Sequence, residues 1–378
     1  MPPWQVPLAD VIVPEEDIAV VADTYRSGWL SMGPETEAFE AELAAFTGAG
    51  YAIAVANGTV GLHLICSAVG LGPGDEVIVP SLTFVATPNA VAYTGASPVF
   101  ADIAATDAPW LSAQAVEPLI SPQTRAIMNM TYGGCAGESA ALRELADSHG
   151  LVLLEDAAHG LGGTLDGIAL GRAGLAGGYS FFSNKNLAIG EGGAVVTDDE
   201  RVAERVRLLR SHGMTTLTWD RHRGHAAGYD VVALGFNYRI DEPRAALGRR
   251  RLLRLPGETA ARAAIATRYT AELERLPGVV SGMASSAGEK PAHHLYTVVL
   301  DDAHERDAVR AAMAERGVQT SMHYPPAHRF SIYAEASRGA MDATERYAAR
   351  SLTLPLFAHM THEQQDLVLE ALAAALDE

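Results

Sequence analysis

The stretch YAIAVANGTVGLHLICSAVGLGPGDEVIVP, Tyr51 to Pro80, decides the fold. Its AIAVA segment, Ala52 to Ala56, is apolar throughout, with no polar alternation, and reads as a buried strand. Asn57-Gly58-Thr59 is a turn. Val60 to Val69 reads as a helix, ended by the GLGPGD run that helical backbone does not tolerate. Glu76 to Pro80, EVIVP, is the next strand. A strand, a helix and a strand in such close succession form the building unit of a parallel sheet.

The alternation extends outward on both sides. Toward the C-terminus, Ser81–Gly95 holds a helix and SPVFADI (Ser97–Ile103) a strand. A helix is predicted over Ala113–Ile120, a strand in RAIMNMTYGG (Arg125–Gly134), and a helix over Ser139–His149. LVLLEDAAH (Leu151–His159) is a strand ending in acidic residues, GGYSFF (Gly177–Phe182) another, and Ala194–Val196 a further apolar run. Toward the N-terminus, Ile18, Val21, Ala22 and Tyr25 give a helical period over Glu15–Arg26. Ser27–Glu35 is a loop, and Thr36–Thr47 is a helix with Phe39, Leu43 and Phe46 on one face. Strands alternating with helices predict an α/β fold with a mainly parallel sheet covered on both faces. Ligands of such folds bind beyond the carboxyl ends of the strands. Asn57, Gly58 and Thr59 lie there, as do Asp156, His159, Ser180 and Lys185.

Beyond an Arg-rich helix at Glu200–His212, Gly213–Asp230 is long and irregular. Its Trp219, Arg221, His222, Arg223 and His225 make it a candidate substrate loop. Gly235–Gly248 leads into a helical stretch that reaches about Leu276 and breaks at Pro256-Gly257. SSAGEKPAHH (Ser285–His294) reads as an exposed polar loop. The pattern then becomes a strand at His294–Leu300, a helix at Glu305–Arg316, a strand at Gly317–Tyr324 and a terminal helix at Thr361–Leu376. The expected division is a large domain over 1–251 and a small α+β domain over 252–378, with the N-terminal segment packing on the latter.

Composition narrows the function. A net charge of −18 argues against a nucleic-acid surface. The basic run GRRRLLR (Gly248–Arg254) has helical spacing and reads as a helix face. Cys66 and Cys135 are the only cysteines, which excludes a disulfide framework or a cysteine metal site. His362-Glu363 has no second His at helical spacing, so no metal is expected. The N-terminus does not read as a signal peptide and no apolar run approaches membrane-spanning length; a cytoplasmic protein with no membrane partner is the expectation.

The chain has only two lysines, Lys185 and Lys290. Lys290 falls in the polar loop. Lys185 stands between apolar runs, where burial should lower its pKa and leave a neutral amine able to form a Schiff base. Gly58-Thr59 at a helix start suits a phosphate, or is an ordinary cap. Asp156 at the end of an apolar strand suits a pyridinium nitrogen, or an ion pair. His159 and Ser180 have structural readings of equal simplicity. In this chain order the set fits pyridoxal 5′-phosphate (PLP).

The motifs SGWLSMGPETEAFEAELAAFTG, GPGDEVIVPSLTFVATPNAV, YTGASPVFADI, LVLLEDAAH, SFFSNKN, GEGGAVVTDD, LRSHG, GFNYRIDE, HYPPAH and LTLPLF, in order over nearly the whole chain, resemble the DegT/StrS aminotransferases. These form the nucleotide-sugar and aminocyclitol branch of fold-type I PLP enzymes. The resemblance implies a seven-stranded-type sheet, with Lys185 as the Schiff-base lysine and Asp156 as the partner of the pyridine nitrogen. It places Phe84 on the cofactor ring, Gly58, Thr59 and Ser180 on the phosphate, and His159 beside the cofactor. It further implies that Asn237 or Arg239 reaches the cofactor phosphate of a neighbouring subunit, hence a homodimer, and that His323 and Tyr324 lie near the substrate. The expected reaction moves an amino group from glutamate or glutamine, through pyridoxamine phosphate (PMP), to a nucleotide-linked keto-sugar, with Trp219 and Arg221 as substrate contacts. A keto-cyclitol acceptor, other PLP chemistry such as dehydration or reactions of amino acids, and a non-catalytic regulatory protein are the alternatives. The chain departs from many relatives at Thr131, where they carry a His before the Tyr; this departure bears on the substrate. Retention of Lys185 argues against the dehydrating branch, which replaces it with His.

Overall fold

The computed structural model describes residues 4–216, 228–285 and 287–378. Seven strands form the main sheet: β1 (Tyr51–Val55), β2 (Glu76–Pro80), β3 (Ser97–Ala101), β4 (Thr124–Met130), β5 (Val152–Asp156), β6 (Ala176–Ser180) and β7 (Gly193–Thr197), in the order β1-β7-β6-β5-β4-β2-β3. The pairs β6/β5, β5/β4, β4/β2 and β2/β3 are parallel. Strand β7 runs against both its neighbours, Ser180 and Val55 facing Gly193. The short connection from β6 to β7 contains no crossover helix, so the chain returns antiparallel.

Both faces of the sheet are covered, as an apolar strand such as β1 requires. Ile53 and Val55 join Val77, Val79, Met128 and Leu154 under helices α3 (Gly58–Ala68), α4 (Ala86–Ala92) and α7 (Glu200–Arg210). Ala52 and Ala54, on the opposite face, pack with Tyr179 and Val196 against Phe39 and Leu43 of α2 (Pro34–Thr47) and Ala245 and Leu252 of α8 (Glu242–Leu252). Helix α1 (Glu15–Ser27) lies outside α8. Helix α5 (Ala113–Val116) is short: Pro118 follows, and the chain continues as a 3-10 turn, Glu117–Leu119, rather than as the helix expected to Ile120. Helix α6 (Ser139–His149) places Leu142 and Ala146 against Ile127 and Leu153.

The long helical stretch is two helices, α8 and α9 (Leu255–Leu273). The break falls at Leu253-Arg254, just before Pro256, which sits in the first turn of α9 where its missing N–H leaves nothing unsatisfied. A second sheet, β8 (Val279–Ser281), β9 (Tyr296–Leu300) and β10 (Ser351–Leu354), packs on α9, α10 (Arg306–Glu315) and α12 (His362–Leu376). Val6 is fully buried in that core, and its carbonyl accepts from Gln319 N–H at 3.0 Å. The strand expected at Gly317–Tyr324 is reduced to two isolated pairings, Val6 with Val318 and Ser321 with Thr353.

The chain beyond 252 does not stay with this core. Ala327 N–H donates to Ser81 O at 2.8 Å, Phe100 N–H to Ser337 O at 2.9 Å, and Tyr333 and Met341 are buried in the core of the main sheet. Helix α11 (Asp342–Arg350) follows. The segment read as an exposed polar loop is also partly structured: Glu289–Lys290 pairs with Thr164–Leu165, and His294 at its end is buried. No helix among the described residues is long and apolar enough to cross a membrane.

Candidate active site

A cavity of about 610 Å³ opens at the carboxyl ends of β1, β5 and β6. At its floor, Asn57 caps α3, its Oδ1 accepting from Val60 N–H at 3.0 Å. Gly58 and Thr59 occupy the first turn of α3, whose N–H groups have no acceptor within the helix and face outward with the positive end of its dipole. Gly58 admits no side chain: a Cβ there would stand 2.8 Å from Ser180 Cβ. The same holds for Gly193, where a Cβ would meet the Asn57 carbonyl carbon at 2.6 Å. The two glycines thus let β1, β6 and β7 approach closely beside the N-terminus of α3, with Ser180 on the cavity wall.

Asp156 ends β5 and is buried. Thr87 Oγ1 donates to its Oδ2 at 2.6 Å and Ala158 N–H to its Oδ1 at 3.1 Å. Burial raises its pKa, opposed by the Thr87 and Ala158 hydrogen bonds and the nearby Lys185. The carboxylate therefore sits where a cationic partner would stabilise it most.

Lys185 is half-buried, and its amine lies 3.4 Å from His294 Nε2. Burial pushes its pKa down to about 8, against the upward pull of Asp156. Asn186 fixes the state of His294: its Nδ2–H donates to Ala292 O at 2.7 Å, which leaves its Oδ1 to face His294 Nδ1 at 3.3 Å. An amide oxygen only accepts, so the His294 proton is on Nδ1 and the Nε2 lone pair faces Lys185. His159 is arranged by the same logic. Gly133 N–H donates to its Nδ1 at 3.2 Å, so Nε2 carries the proton and faces the Tyr324 hydroxyl at 3.0 Å. Burial, first, and the charge of Lys185, second, hold both imidazoles neutral. With its oxygen accepting from His159, the Tyr324 hydroxyl keeps its own proton to donate.

His323, whose Nδ1 meets Thr353 Oγ1 at 2.9 Å, completes the upper wall with Phe84, the latter 51% exposed and its ring 5.7 Å from that of Tyr324. The structure thus brings together Gly58, Thr59, Phe84, Asp156, His159, Ser180, Lys185, His323 and Tyr324. Asn237 and Arg239 do not line this cavity: Asn237 is exposed, and Arg239 is half-buried beside Arg210. Trp219 and Arg221 lie outside the described residues. Thr131 is fully buried, against Asp156 and Gly160, and is not among the residues that line the cavity. Sequence reasoning missed Tyr238, which lines the cavity, and Thr87 and His294, which bond Asp156 and Lys185. His294 could have been found: it opens the apolar strand His294–Leu300, and a His at that edge is a candidate for burial.

The model of the DegT/DnrJ/EryC1/StrS aminotransferase family matches residues 12–373. The chain belongs to this family. It is 37% identical over 380 residues to the spore coat polysaccharide biosynthesis protein SpsC of Bacillus subtilis, covering 98% of this chain and 95% of that relative. Among solved structures, DesV of S. venezuelae, determined in complex with a ketimine intermediate, superposes with a TM-score of 0.90 at 36% identity, covering 100% of this chain and 99% of DesV. DesI, determined with its TDP-sugar product, superposes at 0.87 and 33% identity, over 99% of this chain and 92% of DesI. The enzyme is a PLP-dependent aminotransferase. Its own residues fit that cofactor: a glycine-bounded cradle at a helix N-terminus, and a buried carboxylate and a half-buried amine across one cavity.

Proposed function

We propose that the enzyme moves an amino group from glutamate or glutamine to the ketone of a nucleotide-linked sugar. One observation carries the reading: nine residues from five separate segments of the chain, each matched to one part of the cofactor or to the space above it, line a single cavity. The likeness to DesI and SpsC supports a sugar as acceptor.

In this reading Gly58, Thr59 and Ser180 would hold the cofactor phosphate, Asp156 would serve the ring nitrogen, and Phe84 would pack on the ring. Bound there, the cofactor supplies an electron sink and a carrier for the amino group. The chain's residues do the rest. Asp156 keeps the ring nitrogen protonated, and Thr87 holds its carboxylate in place. Lys185 would hold the cofactor through its amine and would take and return the proton at the reacting carbon; a pKa near 8 suits both directions of that transfer. His294 Nε2 accepts from the amine and orients it. Tyr324 donates its hydroxyl proton toward the substrate, aligned by His159. Asn237 or Arg239 serves the phosphate of a partner subunit, so the active form is a homodimer.

The test starts from PMP-loaded enzyme. Keto-sugar nucleotides, keto-cyclitols and aliphatic keto acids are added separately, and return of the yellow PLP absorbance is followed. The proposal expects the keto-sugar nucleotides to restore it fastest. Restoration by an aliphatic keto acid alone overturns it.

A further inference from the structure

A second cavity, of about 400 Å³, shares Lys185 with the cavity at the strand ends. It is walled by the segment Asp10–Pro14, by Lys185 and Asn186, and by α8 and α9. In a chain with 28 basic and 46 acidic residues, this wall is unusual: Lys185, Arg251, Arg254 and Arg262 face one space. The acidic residues on it are largely committed. Asp10 Oδ2 pairs with His359 Nε2 at 3.0 Å, and Glu258 stands 3.6 Å from Arg254. Behind the wall, the buried Asp17 carboxylate serves two guanidiniums, those of Arg251 at 2.8 Å and Arg254 at 2.9 Å.

Arg262 stands apart from this pattern. It is only 7% exposed, yet its guanidinium makes no ion pair among the described residues and its Nε–H has no hydrogen-bond partner. A guanidinium stays charged when buried, and a buried charge without a close ion pair is costly. Arg262 falls on the buried face of α9 with Ile265, Ala266 and Tyr269, and the counter-charge one turn earlier, Glu258, is shared with Arg254. A guanidinium lining a space of this size, with no close ion pair, matches an oxyanion arriving from outside.

We propose that this cavity is an oxyanion-binding subsite, in which Arg262 takes a carboxylate or phosphate group of a substrate whose reacting end is at Lys185. The proposal rests on the reading of Lys185 as the reacting amine. The shared chemistry is a carboxylate or phosphate oxygen paired with a desolvated guanidinium. It has two sources in the proposed reaction, the amino donor and the diphosphate of a sugar nucleotide.

The experiment is calorimetric titration of the holoenzyme, whose cofactor already fills the phosphate cradle. The probes are inorganic pyrophosphate for the second source and glutarate, which has no amine to react, for the first. Wild type should bind at least one of the two. Arg262→Met, close in volume but uncharged, should weaken that binding on the order of tenfold or more, and Arg262→Lys should retain part of it. Which probe responds identifies the source. The proposal is overturned if neither probe binds wild type, or if Arg262→Met binds as wild type does. Thermal melts of the variants confirm that each is folded. No turnover is needed, so failure of the keto-sugar assay leaves this result standing, and the reverse.

Discussion

The two lysines of this chain occupy opposite surroundings. Lys290 is exposed, on a two-residue strand paired with Thr164 at the edge of the molecule. Lys185 is placed by the turn that follows β6, with Asp156, His294 and His159 around its amine. The residue type is the same, and the fold leaves one in solvent and sets the other among buried titratable groups. Burial supplies a neutral amine near pH 8, and the neutral imidazole of His294 gives it an acceptor without adding a charge.

The largest effect should separate the two directly. Lys185→Ala should lose covalent cofactor attachment and turnover on the order of 10⁴-fold or more. Lys290→Ala should match wild type in both. Steady-state rates and the visible spectrum of the purified variants check this, and equal losses in the two would erase the distinction. Next in size, Asp156→Asn should keep some cofactor but drop kcat on the order of 10²- to 10³-fold, because a charge aimed at the ring is gone. Near wild-type turnover in that variant would contradict its role.

A smaller effect sharpens the same contrast. The rate at which PLP attaches to apoenzyme should rise with pH about a midpoint near 8, below the ordinary lysine value of 10.5. Because the Asp156 charge raises the Lys185 pKa, Asp156→Asn should move the midpoint further down. Stability follows the same sign: between about 8 and 10.5 the unfolded chain binds the proton that the folded amine has lost, so the folded state gains as pH rises through that window. A midpoint at 10.5 would mean that the amine is solvated.

Much of the first lysine's setting is legible from local sequence. AIAVA, LVLLED and GGYSFF are apolar runs ended by Gly, Asp or Ser, and strand ends on one edge of a parallel sheet meet by topology. What faces them from afar is not legible. His294 reaches Lys185 across 109 positions, Tyr324 reaches His159 across 165, and Ala327 returns to Ser81. Such contacts depend on how separate elements dock, and a polar run such as GEKPAHH does not say which of its residues turns inward. Arg262 was hidden for the same reason: within a helix of mixed charge, nothing local marks the arginine that faces a cavity. The reversal of β7 escaped because an apolar run of that length has no direction.

Borohydride reduction of the PLP-loaded enzyme, followed by proteolysis and mass mapping, decides between the two lysines. The fixed cofactor mass should appear on the peptide containing Lys185. Its appearance on the peptide containing Lys290, or on neither, would contradict the assignment to Lys185.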